Sequence, residues 1–548
     1  MTENFFKQEG TRHRIAFFFL LWSGLVALHA TLLRLPYFWD EAGYYVPAAH
    51  DLLLTGRVIP FSTPSNAHPP LVMGYLALWW KLAGFSPAVT RVVMLAVAAF
   101  GLLGIYRLAR RVANAEVAMA SVICTALYPV FFVQSSLAQV DLAAAALVMW
   151  GLLAYVEGRL LALAIWFSLA ALAKETAILA PAGLVAWEIV RWLSGTQRPF
   201  PPKTQANSSP EKSFKKIFAL CLPVLILAAW YAYHRFRTGF IFGNPEFFRY
   251  NVRATMHPLR MVLALAMRLW QVFGYMNLWA LTLATFFAMW RPALQDGRGE
   301  RPRIEFPVQY AFLAICIVYV IAMAMVGGAV LARYMLPIFP LVIIVFISTL
   351  WRRVRAWRLV VAVVAFMFIA SLFMNPPYGF SLEDNFAYRD YILLHQDAAR
   401  FLESRYPHAT ALTAWPANDE LTRPYLGYVH HPIRVVRIDD FTLEQLVSGA
   451  DSGVPFDVAL VFSTKYQPPH PLLEHWRWWQ EAKIHFFDYH HDLPPAIAAH
   501  ILGGDVVFHE QRNGQWIAVI EIQQVHDARS INGGVKLWKQ SPIEATVQ

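Results

Sequence analysis

The sequence predicts an α-helical polytopic membrane protein of about eleven membrane helices, closed by a C-terminal water-soluble α/β domain. Three observations carry that fold class. Of 548 residues, 57% are hydrophobic and 15% charged, and the mean hydropathy is +0.41, values outside the range of soluble globular chains. The apolar residues form long runs separated by short basic breaks. After Pro376-Pro377 the long runs stop, and shorter helix and strand patterns replace them. The net charge of +10 does not point to nucleic acid, because the Lys and Arg cluster between apolar runs as orientation signals do. Cys124, Cys221 and Cys316 all lie inside apolar runs, so they read as packing residues, with no disulfide or zinc spacing.

The runs lie near 15–33, 88–106, 115–133, 140–156, 160–173, 176–190, 216–233, 263–289, 308–330, 334–351 and 359–374. The first follows Lys7, Arg12 and Arg14, as a signal peptide would. It is long enough to span, and no small-residue cleavage pattern follows it, so it reads as a retained first helix. Basic breaks at 107–111, 191–216, 291–303 and 352–358 fall on one side if every run crosses once. The positive-inside bias puts that side, with the N-terminus, in the cytoplasm of a cell-membrane protein.

Lys174-Glu175 interrupts a nearly continuous apolar stretch. A single helix over 160–192 would run roughly 50 Å at about 1.5 Å per residue, too long for a hydrocarbon core of ~30 Å. It would also turn every later basic break outward. A hairpin with Lys174 and Glu175 at its outer tip satisfies both length and charge. Eleven crossings then place 34–87, 234–262 and everything after about Asn375 outside.

The external loop 34–87 carries helical stretches at 48–54 and 71–81, the second an aromatic interface helix entered through Pro69-Pro70. The segment 195–213 has the composition of a flexible linker. The chain divides into a membrane domain over 1–374 and an extracytoplasmic domain over 375–548. In the latter, 388–406 has helical periodicity, 410–415, 433–438, 457–462 and 515–522 read as strands, and 418–428 and 441–449 as helical. It shows no nucleotide-binding glycine fingerprint or triad signature, and a capping or interaction role is expected of it.

Ionisable residues gather on the outer side: Asp40-Glu41 among Trp39, Tyr44 and Tyr45, Arg91 at the start of the second run, Asp141 at the start of the fourth, Lys174-Glu175 at the hairpin tip, and Arg333-Tyr334 before the tenth. Such groups are costly near hydrocarbon, and their recurrence at one depth predicts a composite site. Plainer readings stand beside this one. Asp141 also suits a helix cap, Lys174 and Glu175 a solvated tip, Arg91 and Arg333 interface anchors, and His68 an ordinary loop residue. Asp40-Glu41 resists the plain reading, since two adjacent acids among aromatics repel one another and are poorly solvated.

The Asp-Glu pair after the first helix, His68-Pro-Pro-Leu71, Asp141 opening a helix and Arg333-Tyr-Met-Leu-Pro337 resemble the polytopic GT-C glycosyltransferases. The resemblance is to the protein O-mannosyltransferase and lipid A aminoarabinose-transferase branches and the bacterial glycosyltransferases grouped with them, over roughly 15–350. The segment Asn244-Pro-Glu-Phe-Phe-Arg-Tyr-Asn251 is similar to an external loop of the aminoarabinose branch. The resemblance implies a polyprenyl-phosphate-linked sugar donor and a lipid, glycan or protein acceptor. In those terms Asp40 is similar to the family's loop base and Glu41 positions acceptor or sugar. Lys174, Arg333 and Arg91 then hold phosphate, with Asp141, Glu175, Tyr334, His68, Tyr44 and Tyr45 lining the substrate. Displacement from the far face of the sugar would invert its anomeric carbon. Relatives differ in their use of a divalent metal ion, for which Glu41, His68 and His257 are the nearby ligands. The competing class is a transporter or lipid-linked sugar flippase, which also carries intramembrane charge. An anchor for the soluble domain would not need eleven crossings.

Overall fold

The computed structural model describes residues 11–194, 210–297, 299–468, 476–487 and 489–523. Residues 195–209 of the expected linker lie outside these, as do 524–548. The helices that frame the molecule are Thr11–Leu28 (α1), Val46–Thr55 (α2), Leu71–Ala83 (α3), Pro87–Val112 (α4), Ala115–Leu127 (α5), Val140–Glu157 (α6), Leu160–Ala173 (α7), Leu179–Leu193 (α8), Pro210–Thr238 (α9), Pro258–Phe273 (α10), Leu278–Met289 (α11), Phe306–Met325 (α12), Phe339–Arg353 (α13) and Trp357–Phe373 (α14). Among the described residues six segments are long and apolar enough to cross a membrane: Pro87–Val112, Val140–Glu157, Glu175–Leu193, Phe214–Thr238, Pro258–Met289 and Phe306–Met325. Shorter apolar helices, among them Ala115–Leu127, Leu160–Ala173 and Trp357–Phe373, complete the bundle.

Polar contacts fix which helix ends lie together. Asp141 and Lys174 meet at one end, and Tyr155 and Lys216 meet Glu188 at the other. Helices α6, α7 and α8 therefore alternate in direction, and the chain reverses at Lys174, whose backbone is extended (φ −152°, ψ 135°). The expected hairpin is present, with arms that diverge: α7 packs on α6 and α9, α8 on α12.

The run 263–289 is corrected. It is not one helix, because Met276 (φ 47°) and Asn277 (φ 64°) break it. The buried positions of α10 are Arg260, Ala264, Arg268, Gln271 and Val272, one polar stripe at helical spacing. Arg260 donates to the Gly327 carbonyl at 2.7 Å and Arg268 to that of Leu331 at 2.7 Å. Both ends of α10 thus stay at the Lys174 end of the bundle, and α11 alone runs to the other end. The run 115–133 likewise breaks, at Pro129, into α5 and the short helix Pro129–Gln134, because proline has no N–H to continue the ladder. The run 334–351 begins its helix only at Phe339, after a tight turn over Ala332–Met335.

Beyond α14, Ala387–Arg405 (α15) leads into strands Thr410–Ala414 (β1), Arg434–Ile438 (β2), Val458–Phe462 (β3), Gly504–Arg512 (β4) and Gln515–Ile522 (β5). The sheet order is β2-β1-β3-β5-β4. β1 is parallel to both neighbours (Leu412↔Val436, Leu412↔Ala459), and β3 and β4 are antiparallel to β5. Four strands stand where the apolar patterns predict them, and β4 is additional. It closes on β5 through Asn513-Gly514, both at positive φ, the two-residue turn whose twist suits a hairpin. The 418–428 stretch is a short helix, Ala417–Thr422, and a turn, Pro424–Leu426. Helices Arg477–Phe487 and Pro495–Leu502 were not expected.

Candidate active site

The site begins in the loop after α1. Residues Glu41–Tyr45 form one π-helical turn leading into α2, a local widening often found at functional positions. Trp39 holds a positive φ of 47°, a left-handed conformation that costs a bulky residue energy and needs outside support. The support comes from the C-terminal part. The Trp39 ring packs edge-on against Trp415 and Tyr391, with centroids 5.0 and 5.6 Å away. Gly43 makes room for this, since a Cβ there would sit 2.6 Å from Trp415 Nε1. Arg423 donates to the Ser62 carbonyl (2.7 Å) and the Tyr428 hydroxyl to that of Tyr37 (3.0 Å).

Held in this way, Asp40 meets Arg333, the hub of the cluster. Arg333 donates to Asp40 through Nη2 and to Glu383 through Nη1. The same Nη1 donates to Gln139 Oε1 at 2.6 Å, and Nε lies 3.5 Å from Asp141 Oδ2. Lys174 pairs with the other Asp141 oxygen, and Gln139 donates to Glu383 at 3.0 Å. The Lys174 ammonium lies 4.1 Å from the Tyr334 ring centroid, a cation–π contact. Asp40, Asp141, Lys174, Arg333 and Tyr334 are therefore brought together. Within this group the Asp40 side chain is 31% exposed, whereas those of Asp141, Arg333 and Glu383 are 3% exposed.

Glu41 and Arg91 are placed elsewhere. Glu41 is fully buried and accepts from both Arg91 terminal nitrogens, from Phe38 N at 2.9 Å and from Ala138 N. Arg91 spends its remaining donors on the carbonyls of Pro36 (2.9 Å) and Ser136 (3.0 Å). A carboxylate with no accessible surface and four donors has nothing left to offer a substrate, so the expected catalytic role of Glu41 and substrate role of Arg91 are corrected. The pair is a buried brace tying the loop to α4 and to the turn before α6.

His68, Glu175, Tyr44 and Tyr45 form a neighbouring wall. His68 Nδ1 lies 3.0 Å from Glu175 Oε2, and the rings of Tyr44 and Tyr45 stand 5.7 and 5.6 Å from the imidazole. The metal expectation is not met by this arrangement. His257 is exposed and lies against Phe486, with centroids 4.9 Å apart, and Glu41 is consumed by Arg91. Among the described residues no group of three or more His, Cys, Asp or Glu side chains could hold a metal ion.

Sequence reasoning missed two contributions. Glu383-Asp384 follows α14 as Asp40-Glu41 follows α1, and Glu383 enters the cluster through Arg333; the doubled acid was the available signal. Asp384 turns inward, accepting from the Tyr275 hydroxyl at 2.6 Å. Burial, reinforced by Glu383, pushes its carboxyl up to about 8 despite Tyr275 and Arg333. Burial also raises Glu383, against the pull of Arg333. The second contribution is Arg260 and Arg268. Both are buried, and among the described residues neither has a carboxylate partner and each has one terminal nitrogen without a hydrogen bond. Arg268 lies 5.5 Å from the same Tyr334 ring as Lys174. An apolar window starting at 263 cut the polar stripe in two.

The fold is similar to that of ArnT. The crystal structure of ArnT from Cupriavidus metallidurans bound to undecaprenyl phosphate is similar over 92% of this chain and 97% of its own, with a TM-score of 0.50 at 13% identity. Its apo form matches over 91% and 98%, with a TM-score of 0.47 at 12% identity. The archaeal oligosaccharyltransferase AglB from Archaeoglobus fulgidus, in complex with an inhibitory peptide and a dolichol-phosphate, matches over 94% and 75%, with a TM-score of 0.42 at 11% identity. Residues 67–199 match the family model described as dolichyl-phosphate-mannose-protein mannosyltransferase. No curated protein matches the chain. The likeness to ArnT is one of fold, and the family-model match is confined to residues 67–199. The matched segment contains His68, Arg91, Asp141, Lys174 and Glu175.

Proposed function

We propose that the protein transfers a sugar from a polyprenyl-phosphate donor to an acceptor hydroxyl at the outer face of the cell membrane, with Asp40 as the base. The reading is carried by the difference in exposure within the Arg333 cluster: Asp40 is the acid that solvent and substrate reach, while Asp141 and Glu383 are 3% exposed. A base must lie within hydrogen-bond reach of the proton it takes. Arg333, held by Asp141 and Glu383, fixes the direction of the Asp40 carboxylate. The phosphate is assigned to the cations of the same cluster, Arg333 and Lys174. Guanidinium and ammonium groups make strong charge-assisted bonds to phosphate oxygens and stabilise the charge that develops on the leaving group. Attack from the face opposite the phosphate inverts the anomeric carbon.

In this reading the chain crosses the membrane eleven times, with the N-terminus cytoplasmic and the cluster and C-terminal sheet outside. The division near residue 374 is one of folding pattern only, since Glu383 belongs to the site. The family-model match to transferases favours this reading over a transporter. The test is transfer of labelled sugar from a polyprenyl-phosphate donor by the purified protein. Asp40→Asn is expected to lower turnover by roughly a hundredfold or more, the range for loss of a general base, with an unchanged unfolding transition. Normal turnover by that variant refutes the assignment.

A further inference from the structure

The other end of the bundle carries a second built pocket. A cavity of about 250 Å³ is lined by Arg14, Arg107, Arg159, Glu157, Trp150 and Trp166, with apolar neighbours. It shares Arg159 and Ala162 with a groove of about 380 Å³ that continues along Leu160, Leu161 and Ile165. The lining comes from the start of α1, the end of α4, the end of α6 and the start of α7. On α4 sixteen residues separate Arg91 from Arg107, about 24 Å of helix. The pocket is thus distinct from the Asp40 cluster.

Its chemistry is that of an amphiphile site. Glu157 lies 3.6 Å from Arg107 and 3.3 Å from Arg159, and among the described residues the lining holds three guanidiniums to one carboxylate. The back wall is rigid: Trp150 donates to the Phe100 carbonyl at 3.0 Å, stands 5.7 Å from Trp166, and has the Arg107 guanidinium 5.1 Å from its ring centroid. Leu161 and Ile165, beside this charge, are exposed.

We propose that the pocket binds an anionic membrane phospholipid, its phosphate among Arg14, Arg107 and Arg159 and one acyl chain along Leu161 and Ile165. Guanidiniums pair with phosphate oxygens two bonds at a time, and basic pockets between membrane helices suit acidic headgroups. A free phosphate would satisfy the arginines and leave the groove unfilled, and for that reason a lipid is assigned. The inference does not depend on sugar transfer.

The test titrates the delipidated full-length protein with phosphatidylglycerol and with phosphatidylcholine of identical acyl chains, read by native mass spectrometry. A preference of about tenfold or more for phosphatidylglycerol is expected, because both lipids bring a phosphate and only phosphatidylcholine brings a cation against the arginines. It should be lost in the double variant Arg14→Ala/Arg159→Ala, which leaves Arg107 to hold Glu157 and Trp150. Leu161→Asn/Ile165→Asn should weaken phosphatidylglycerol binding severalfold. Equal binding of the two lipids, a preference that survives the arginine variant, or full displacement by an equal concentration of inorganic phosphate would each overturn the proposal.

Discussion

The two acidic pairs, Asp40-Glu41 after α1 and Glu383-Asp384 after α14, are alike in sequence and differ in how their charge is settled. In each, one acid reaches Arg333 and its neighbour turns into the protein. Glu41 meets a guanidinium and two backbone N–H groups. Asp384 meets a tyrosine hydroxyl, and no cation lies within ion-pair distance among the described residues. The first neighbour is secured by matched charge and the second by retaining its proton. A doubled acid beside a membrane helix therefore marks a place where one carboxylate points outward to the site, and says nothing of how its twin is accommodated.

The sharpest way to break the comparison is to remove the matched charge. Arg91→Ala strands Glu41 in a dry interior, and breaking a buried pair costs about 3–5 kcal/mol. Unfolding in detergent should show a loss of that order, and a loss below ~1 kcal/mol would mean that Glu41 is not held by charge. Next comes the member of the second pair that touches Arg333. Glu383→Gln gives up a charge-assisted bond worth ~1.5–3 kcal/mol, and turnover should fall roughly tenfold to a hundredfold. Asp384→Asn at neutral pH should leave turnover within about threefold by the same scale; a reversed order would exchange their places.

The third test is pH. Folded Asp384 binds its proton more tightly than an aspartate at the ordinary 3.8, releasing it near 8. The native state then holds more protons than the unfolded state across that window. Its stability falls as pH rises from about 3.8 to about 8 and levels beyond. Asp384→Asn should remove that slope, and an identical slope in the variant would place the titration elsewhere. The smallest effect is expected at His257, which lies against Phe486 and outside the cluster. His257→Ala should change turnover by less than about twofold, a surface-scale effect, and leave its response to a chelator as in the wild type.

Much of this was legible in the residues. Hydropathy placed most of the helices within a few positions, and length with charge bias forced the reversal at Lys174. The cost of burying charge singled out Asp40, Asp141, Lys174 and Arg333 before any contact was known. The hidden part belonged to partners. That Arg91 serves Glu41, and that Glu383 returns to Arg333 across 50 residues of sequence, are facts of packing that spacing does not encode. Arg260 stood just before the run 263–289 and Arg268 inside it, and starting the apolar window at 263 cut the polar face of the helix in two. β4 was not expected: Asn513-Gly514 was the turn signal that pointed to it, while its own alternation, Val506 to Arg512, mixes in too much charge for an apolar window to register.

The wide turn at Glu41–Tyr45 carries one consequence for anyone who would shorten this loop. Deleting a single amino acid there would let the coil tighten to 3.6 residues per revolution and swing everything before it by about 100°. Asp40 would then face away from Arg333 with its chemistry untouched. Here the count of residues is as much a determinant as their identity, and a frame-preserving deletion should be as damaging as a change of side chain.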